Sequence, residues 1–326
     1  MCGFALCFAY NALFLVIVLL FFNHISVIFG SVSLIKMEND GQCSQAASPI
    51  YDCLLFDVDD TLYPINSGLS VEITKNIEEY MVQKLGIEES KVPELCFSLY
   101  KNYGTTLAGL AAIGYEIDYE DFHSYVHGRL PYHKMLKPNL VLKSILHSLP
   151  VRKVIFTNAD KAHAIRVISR LGLEDCFEGI ICFETLNPTH NTSSSAELKA
   201  TGSSTKIHTE IFDISSFRPG AGSELPKSLV ICKPFKEAFE EAFRIANINP
   251  HKTLFLDDSV RNIETGKTVG LGTVLVGTSC RTKGADQALE SIHNIKEALP
   301  ELWEANEKAE RVTYPGKVPI ETTVIA

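Results

Sequence analysis

The segment from Leu54 to Tyr63 constrains the fold most, because an apolar run leads directly into three carboxylates. Its sequence is Leu-Leu-Phe-Asp-Val-Asp-Asp-Thr-Leu-Tyr, in which Asp57, Asp59 and Asp60 crowd the end of the run. Carboxylates crowded at the end of a buried strand repel one another and lose hydration unless a cation neutralises them. The segment therefore predicts a strand whose end binds a hard divalent ion, and Mg²⁺ prefers such oxygen ligands.

Short apolar runs alternate with amphipathic stretches from about residue 50, a pattern typical of a parallel sheet flanked by helices. We predict an α/β fold with a Rossmann-like parallel sheet and strands at residues 53–58, 153–157, 179–183, 253–257 and 273–276. The second and fourth of these runs end in Thr157 and Asp257, and Asp57 and Asp59 stand at the end of the first. Because ligands bind beyond the carboxyl ends of strands in open α/β sheets, this edge is the predicted active site.

Residues 64–138, between the first two strands, have an almost wholly helical pattern. Ser70 can cap a helix through Lys84, and further helices are predicted at about 90–101, 104–112 and 118–127. We expect this insertion to form a helical cap over the carboxyl edge. The sheet core is then formed by 50–63 and 139–300, the tail is 301–326, and the Ser/Thr-rich segment 187–226 is predicted to be a flexible surface loop.

Residues 1–36 form an apolar leader without Asp, Glu or Arg. As a helix, residues 4–22 would extend about 28 Å and nearly cross the core of a bilayer. Three interpretations stay open: a membrane anchor, a cleaved signal peptide, and an extension upstream of a working start at Met37. The signal peptide fits least, because no basic residue precedes the apolar run. We expect a cytoplasmic protein, with attachment to a membrane through 4–22 as the alternative.

Charge and cysteine content exclude several classes of protein. The formal net charge of -9 indicates no broad basic surface, so we expect no nucleic acid polymer as a partner. Any phosphate ligand must then be attracted locally. The nine cysteines include no Cys-x-x-Cys pair, which argues against a zinc ribbon, and their odd number gives no disulfide scaffold.

Three further segments end in polar residues that could meet Asp57 at the same edge. Thr157 and Asn158 follow the second apolar strand, where a hydroxyl and free N–H groups could hold a phosphoryl group or simply cap a helix. Lys233 precedes a proline and a predicted helix at 235–246, and it either neutralises phosphate or is a solvated helix-start lysine. The fourth strand ends in Asp257-Asp258, and two acidic strand ends supply enough oxygens for one octahedral ion.

Together these elements resemble the haloacid dehalogenase superfamily. Its four motifs are similar to four parts of this chain: Asp57-x-Asp59-x-Thr61, Thr157, Lys233 and Asp257-Asp258. Within the superfamily, this chain resembles the yeast-type pyrimidine 5'-nucleotidases and their plant relatives in further segments: Asp59–Pro64, Tyr103-Gly104, Phe156–Ala159, His163-Ala164, Cys232–Pro234, Asp257–Ser259 and Asn262–Gly266. The resemblance covers about residues 50–300 and departs from the family in the apolar leader and the Ser/Thr-rich loop.

The resemblance implies a phosphatase that works through an aspartyl-phosphate. Asp57 is then the nucleophile, and Asp59 protonates the leaving oxygen and later takes a proton from water. The implied Mg²⁺ ligands are Asp57, the main chain of Asp59, Asp257 and, directly or through water, Asp258. The implied phosphate ligands are Thr157, the Asn158 amide and Lys233.

The substrate is expected to be a small phosphorylated metabolite, a pyrimidine nucleoside 5'-monophosphate being the first choice. The candidate substrate contacts from the cap are Tyr63, Tyr103, Thr105 and Arg129. His163 could orient Asn158, but we expect it to lie on a helix face. A phosphatase for a sugar phosphate or pyridoxal phosphate, and a catalytically silent regulatory protein with the same fold, are the alternatives.

Overall fold

Six parallel strands form one sheet in the part of the chain that the computed structural model describes, residues 51–188, 211–214 and 224–303. The strands are β1 (Cys53–Phe56), β2 (Arg152–Phe156), β3 (Gly179–Ile181), β4 (Thr253–Asp257), β5 (Gly272–Val276) and β6 (Gln287–Leu289). Their order is β3-β2-β1-β4-β5-β6, and every neighbouring pair is parallel. The predicted Rossmann-like sheet is confirmed, and β6 is an additional strand that the sequence did not predict.

The strand β1 is central because both of its faces are apolar and buried. Leu54 and Phe56 pack into the apolar cluster on one face of the sheet, whereas Cys53 and Leu55 pack into the cluster on the other. Alternate side chains of a strand point to opposite faces, so this short run fills both layers. The chain turns from β3 back to β4 on the other side of β1, and the carboxyl end of β1 therefore opens into the crevice where ligands bind in such sheets.

Eleven α-helices surround the sheet in the described ranges. They are α1 (Leu69–Gln83), α2 (Val92–Tyr103), α3 (Thr106–Ala112), α4 (Tyr119–His127), α5 (Tyr132–Met135), α6 (Leu140–Ser148), α7 (Lys161–Leu171), α8 (Phe183–Leu186), α9 (Lys236–Ala246), α10 (Val260–Thr268) and α11 (Ile295–Ala298). The predicted capping role of Ser70 is wrong. Its hydroxyl lies inside α1 and donates to Asp60 Oδ2 at 2.7 Å, while the N–H of Leu69 donates to Ser67 Oγ.

The helices α1 to α4, called the cap below, pack around an apolar cluster that also includes Phe183, Ile214, Val230 and Cys232 from outside the insertion. Tyr80, Leu99, Leu110 and Phe122 are buried in it, one from each helix. Tyr132 of α5 instead packs with the sheet cluster. The helical insertion therefore contributes to two apolar cores, and the predicted bounds 64–138 for a separate cap stay a prediction.

Several predicted segments lie outside the described residues. They are the leader 1–36 with its apolar run 4–22, the tail beyond residue 303, and most of the segment 187–226. Among the helices of the described ranges, none combines the length and the apolar character that a membrane span requires.

Candidate active site

Asp57 directly follows β1 and is only 7% exposed. Its N–H donates to the Leu256 carbonyl at 2.9 Å, which continues the pairing of β1 with β4 and fixes the backbone at the sheet edge. Its Oδ1 accepts a hydrogen bond from Lys233, while its Oδ2 has a long contact of 3.4 Å from the Thr61 hydroxyl. One carboxylate oxygen is thus held firmly, and the other is left for a ligand.

Lys233 is a buried cation at the centre of the site, not a solvated lysine. Its Nζ donates to Asp57 Oδ1 at 2.8 Å, to Asp257 Oδ2 at 2.7 Å and to the Phe156 carbonyl at 2.7 Å. Burial alone would lower the pKa of Lys233, but the charges of Asp257 and Asp57 raise it, so the ammonium group stays charged. Three strand ends, those of β1, β2 and β4, therefore converge on one ammonium group.

The side chain of Asn158 positions the backbone of Lys233. Its Nδ2 donates to the Lys233 carbonyl at 2.9 Å, and its Oδ1 accepts from the Lys233 N–H at 2.8 Å. This two-point contact was not predicted, because the sequence indicated only a main-chain role for Asn158. The neighbouring Thr157 is 1% exposed, and its hydroxyl accepts from the Ala159 N–H at 3.1 Å.

The two carboxylates after β4 have different surroundings. Asp257 is fully buried and accepts from Lys233, from the Ser259 N–H at 2.8 Å and from Asn262 Nδ2 at 2.9 Å. Asp258 instead lines a cavity. Hydrogen bonds already reach both oxygens of Asp257, although each oxygen keeps a lone pair for a further ligand, and Asp258 is the freer of the two.

Oxygens of Asp57, Asp257 and Asp258 come within 4.8 Å of one another, which is close enough to share one ion. Burial raises the pKa of Asp57 to about 7; Lys233 opposes this, and Asp257 and Asp59 add to it. Burial and the charges of Asp257 and Asp57 likewise raise the pKa of Asp258 to about 9. This all-oxygen, charge-crowded donor set fits a hard dication, which would relieve the repulsion.

Asp59 turns away from this group and pairs with His163. Its Oδ1 accepts from His163 Nε2 at 2.7 Å and from the Tyr63 hydroxyl at 2.5 Å. Burial alone would raise the pKa of Asp59, but the charge and hydrogen bond of His163 lower it to about 2. The Asp59 carboxylate is therefore ionised in the resting protein.

The expectation that His163 merely lies on a helix face is wrong. The side chain is fully buried, its Nε2 contacts Asp59, and its Nδ1 is 2.8 Å from the Tyr132 hydroxyl. Burial would lower the pKa of His163, but Asp59 raises it above its ordinary value. A histidine followed by alanine within an amphipathic helix gave no sequence signal for this contact.

A cavity of about 450 Å³ lies between the cap and the sheet edge. Asp57, Asp59, Thr157, Lys233 and Asp258 line it from the sheet side. Its lining from the helices and loops is largely apolar and aromatic and includes Ile73, Phe97, Tyr100, Thr105, Phe122 and Phe183. The site thus combines a polar floor with an apolar roof, the usual arrangement of a small-molecule pocket.

The four predicted substrate contacts have different positions. Thr105 lines the cavity and also caps α3 by accepting from the Ala108 N–H at 3.1 Å. Arg129 lies elsewhere, because it donates to Glu79 and stacks on the Tyr125 ring. Its predicted contact with the substrate is not supported by this position and stays a prediction.

The other two are tyrosines that face inward. Tyr103 is buried in the apolar cluster of the cap, and Tyr63 reaches the site only through Asp59. Their predicted direct contacts with the substrate are therefore not supported by these positions.

The haloacid dehalogenase-like hydrolase family matches residues 51–270. Phosphate metabolism protein 8 of Saccharomyces cerevisiae is 24% identical over 251 residues, covering 74% of this chain and 67% of the yeast protein. Two solved structures are similar in fold. CbbY from Rhodobacter sphaeroides in complex with phosphate has a TM-score of 0.49 and 15% identity over 77% of this chain and 99% of CbbY. A HAD phosphatase from Thermococcus onnurineus has a TM-score of 0.45 and 14% identity over 76% and 96%.

Proposed function

This chain belongs to the haloacid dehalogenase-like hydrolases, and we propose that it is a Mg²⁺-dependent phosphomonoesterase. The observation that carries the proposal is the contact of Asp57 with the buried ammonium group of Lys233, at the floor of a cavity that Asp59 also lines. A nucleophile, a cation and an acid–base group then surround one position for a phosphoryl group. The preferred substrate is a nucleoside 5'-monophosphate, and a pyrimidine one first.

Asp57 would act as the nucleophile through Oδ2. Its Oδ1 is held by Lys233 at 2.8 Å, which leaves Oδ2 to attack phosphorus in line. The new bond joins Oδ2 to phosphorus, the bond to the leaving oxygen breaks, and an aspartyl-phosphate forms. Water then attacks the same phosphorus and releases Asp57 as a carboxylate.

Asp59 and His163 would together handle the proton. In the resting protein the pair shares one proton, which lies on His163 because the pKa of Asp59 is lowered and that of His163 is raised. The hydrogen bond of 2.7 Å offers a path for that proton to Asp59 as the leaving oxygen takes one up. In the second step, Asp59 takes the proton from the attacking water. His163 is a positioning residue in this scheme, since it acts through Asp59.

Lys233 and the carboxylates would divide the work of charge stabilisation. Mg²⁺, held by Asp57, the Asp59 main chain, Asp258 and Asp257, would supply positive charge beside the phosphoryl oxygens. Lys233 contributes a fixed positive charge, and the Asn158 side chain holds the backbone of Lys233 in place. The amides after Thr157 offer hydrogen bonds to the phosphoryl oxygens. Positioned charge is the main device of phosphoryl transfer, because the reacting group is itself highly charged.

The shape of the cavity supports a small ester as the substrate. Its volume of about 450 Å³ is within the range of small-molecule sites, and residues of the cap helices line it together with Asp57. The aromatic rings of Phe97, Tyr100 and Phe122 offer surfaces for a planar base. Phe122 already packs against Tyr80, and Tyr100 against Arg261. The exposed ring of Phe97, however, would gain a partner from a planar base that a sugar does not offer, which is why we favour a nucleotide.

Hydrolysis rates with the purified full chain test the proposal. Inorganic phosphate release should require Mg²⁺ and should be faster for UMP and CMP than for AMP, glucose 6-phosphate or pyridoxal phosphate. Asp57→Asn should fold and lose nearly all activity, whereas the exposed control Asp52→Asn should retain it. Retained activity in Asp57→Asn would contradict the assignment of Asp57 as the nucleophile. Faster turnover of a sugar phosphate would show that the substrate is not a nucleotide. A folded protein without activity on any ester would favour a silent binding protein.

A further inference from the structure

Two histidines of the cap meet an aspartate of the sheet domain outside the catalytic carboxylate group. His123 and His127 are four residues apart on α4, so their side chains lie on the same face of that helix. Asp160, which caps α7, lies opposite them: its Oδ1 is hydrogen-bonded to His127 Nδ1 and is 3.7 Å from His123 Nδ1. One donor atom from each residue falls within 4.8 Å of the others, a spacing that one metal ion can span.

His123 is the unexplained member of this group. The residue is 9% exposed, and neither of its ring nitrogens has a hydrogen-bond partner among the described residues. The neighbouring rings of Phe183 and Phe122, at centroid distances of 4.5 and 5.6 Å, could pack equally well against a phenyl group. A buried polar group without a partner is costly, so the presence of an imidazole calls for a ligand.

The protonation of the group suits a cation. Burial lowers the pKa of His123 to about 4, so at neutral pH the ring is uncharged and has a free lone pair. Burial alone would raise the pKa of Asp160, but the hydrogen bonds from the His127 ring and the His163 N–H lower it, so this carboxylate is ionised, and burial also lowers the pKa of His127. Two neutral nitrogens and one anionic oxygen are a common donor set for transition metals.

We propose that His123, His127 and Asp160 form a binding site for a divalent transition metal, Zn²⁺ being the representative ion. Imidazole nitrogens favour Zn²⁺ over the harder Mg²⁺, which prefers the all-oxygen site around Asp57. A second cavity, of about 650 Å³, is lined by all three residues and gives solvent access to a fourth coordination position. The proposal does not depend on which phosphate ester is the substrate.

The site would join two parts of the fold. His123 and His127 belong to the cap, whereas Asp160 begins α7 beside the sheet. The ring of His127 also lies 4.3 Å from that of His163, the positioning partner of Asp59. A bound ion would therefore tie the cap to the sheet domain next to the acid–base pair, and it would stabilise this contact between them.

Metal binding to the purified full chain tests this site. Chelator-treated protein would be titrated with Zn²⁺ by calorimetry in excess Mg²⁺, and with Co²⁺ by its visible absorption spectrum. We expect one Zn²⁺ per chain, a Co²⁺ spectrum with nitrogen ligands, and a rise in melting temperature on Zn²⁺ addition. His123→Phe keeps the ring packing and removes one ligand, so its Zn²⁺ affinity should fall by more than the roughly 10- to 100-fold typical of changes to outer partners.

Two further variants keep the test decisive. Asp160→Asn can still cap α7 through its side-chain oxygen, which accepts from the His163 N–H at 3.2 Å, but it removes the anionic ligand. His147→Gln is the matched control, because the exposed His147 belongs to a separate group with Asp175 and the buried Cys176. Absence of Zn²⁺ uptake would overturn the proposal. The proposal would also be overturned if His123→Phe and Asp160→Asn both still bound Zn²⁺ like the wild type, or if only His147→Gln lost Zn²⁺ binding.

Discussion

Replacing Asp57, the proposed nucleophile, should stabilise the metal-free protein at high pH. Asp57 is 7% exposed, and burial raises its pKa from the ordinary 3.8 to about 7. Since one pKa unit corresponds to about 1.4 kcal/mol, ionising this group in the folded protein costs on the order of 4 kcal/mol above pH 7. Asp57→Asn removes the charge and retains the shape. We therefore expect it to unfold with a free energy roughly 2–4 kcal/mol higher than the wild type at pH 8 in EDTA.

The sign of the pH dependence follows from the direction of the shift. Between pH 4 and pH 7, the folded chain holds a proton on Asp57 that the unfolded chain has released. The free energy of unfolding of the wild type should therefore fall as pH rises from 4 to 7. The difference in unfolding free energy between Asp57→Asn and the wild type should disappear near pH 4. Mg²⁺ should reverse the order at pH 8, because it binds the ionised wild-type group more tightly than the amide.

Urea denaturation measures the free energy of unfolding of each protein under four conditions: at pH 5 and pH 8, each with EDTA or with Mg²⁺. The exposed variant Asp52→Asn is the control, since Asp52 makes only a surface ion pair with Lys252. Its pH dependence and Mg²⁺ response should match those of the wild type. The reasoning fails if Asp57→Asn is less stable than the wild type at pH 8 in EDTA, or if Mg²⁺ stabilises both proteins equally.

Three other substitutions test separate parts of the site. Asp59→Asn should slow hydrolysis of a nucleotide by roughly 10²- to 10⁴-fold and of p-nitrophenyl phosphate by less, because a good leaving group needs less protonation; equal losses in a rate assay would argue against acid catalysis. Gly104→Ala should lose more than about 2 kcal/mol in urea denaturation and most of its activity, because a Cβ there would lie 2.3 Å from the Lys233 carbonyl. Gly86→Ala also has a positive φ but no atom within 4 Å, and it should cost only about 1 kcal/mol; equal losses in the two variants would refute the clash. Arg129→Ala should change KM less than about twofold, since Arg129 is not among the residues that line the cavity and instead pairs with the half-buried Glu79; a large rise in KM would restore Arg129 to the substrate site.

The sheet and its polar edge could be predicted because they depend on local pattern. The apolar runs that became β1, β2 and β4 are long enough to be recognised, and each is followed by the polar residues that converge at the edge. The strand β6 was missed because Gln287–Leu289 is only three residues long and only Leu289 is buried. Such a short strand owes its existence to pairing with β5, which the sequence does not display.

The contacts around the site could be predicted only in part. Convergence of Asp57, Lys233 and Asp257 followed from strand ends meeting at one edge. The pairing of His163 with Asp59 did not, because it depends on the rotation of α7 against the loop after β1. Arg129 was predicted to face the substrate because it lies in the helical insertion, but its side chain donates to Glu79 of α1. Side-chain direction is set by tertiary packing, and motif spacing does not record it.

A crystal structure of the full chain with Mg²⁺ and beryllium fluoride tests the central claim most directly, because beryllium fluoride mimics a phosphoryl group on a carboxylate. The account predicts beryllium bonded to Asp57 Oδ2, with its fluorides facing Lys233 and the backbone after Thr157. It also predicts Mg²⁺ between Asp57 and Asp258, with Asp59 still paired with His163. A beryllium fluoride bound elsewhere, or a Mg²⁺ ion that does not contact Asp57, would contradict it.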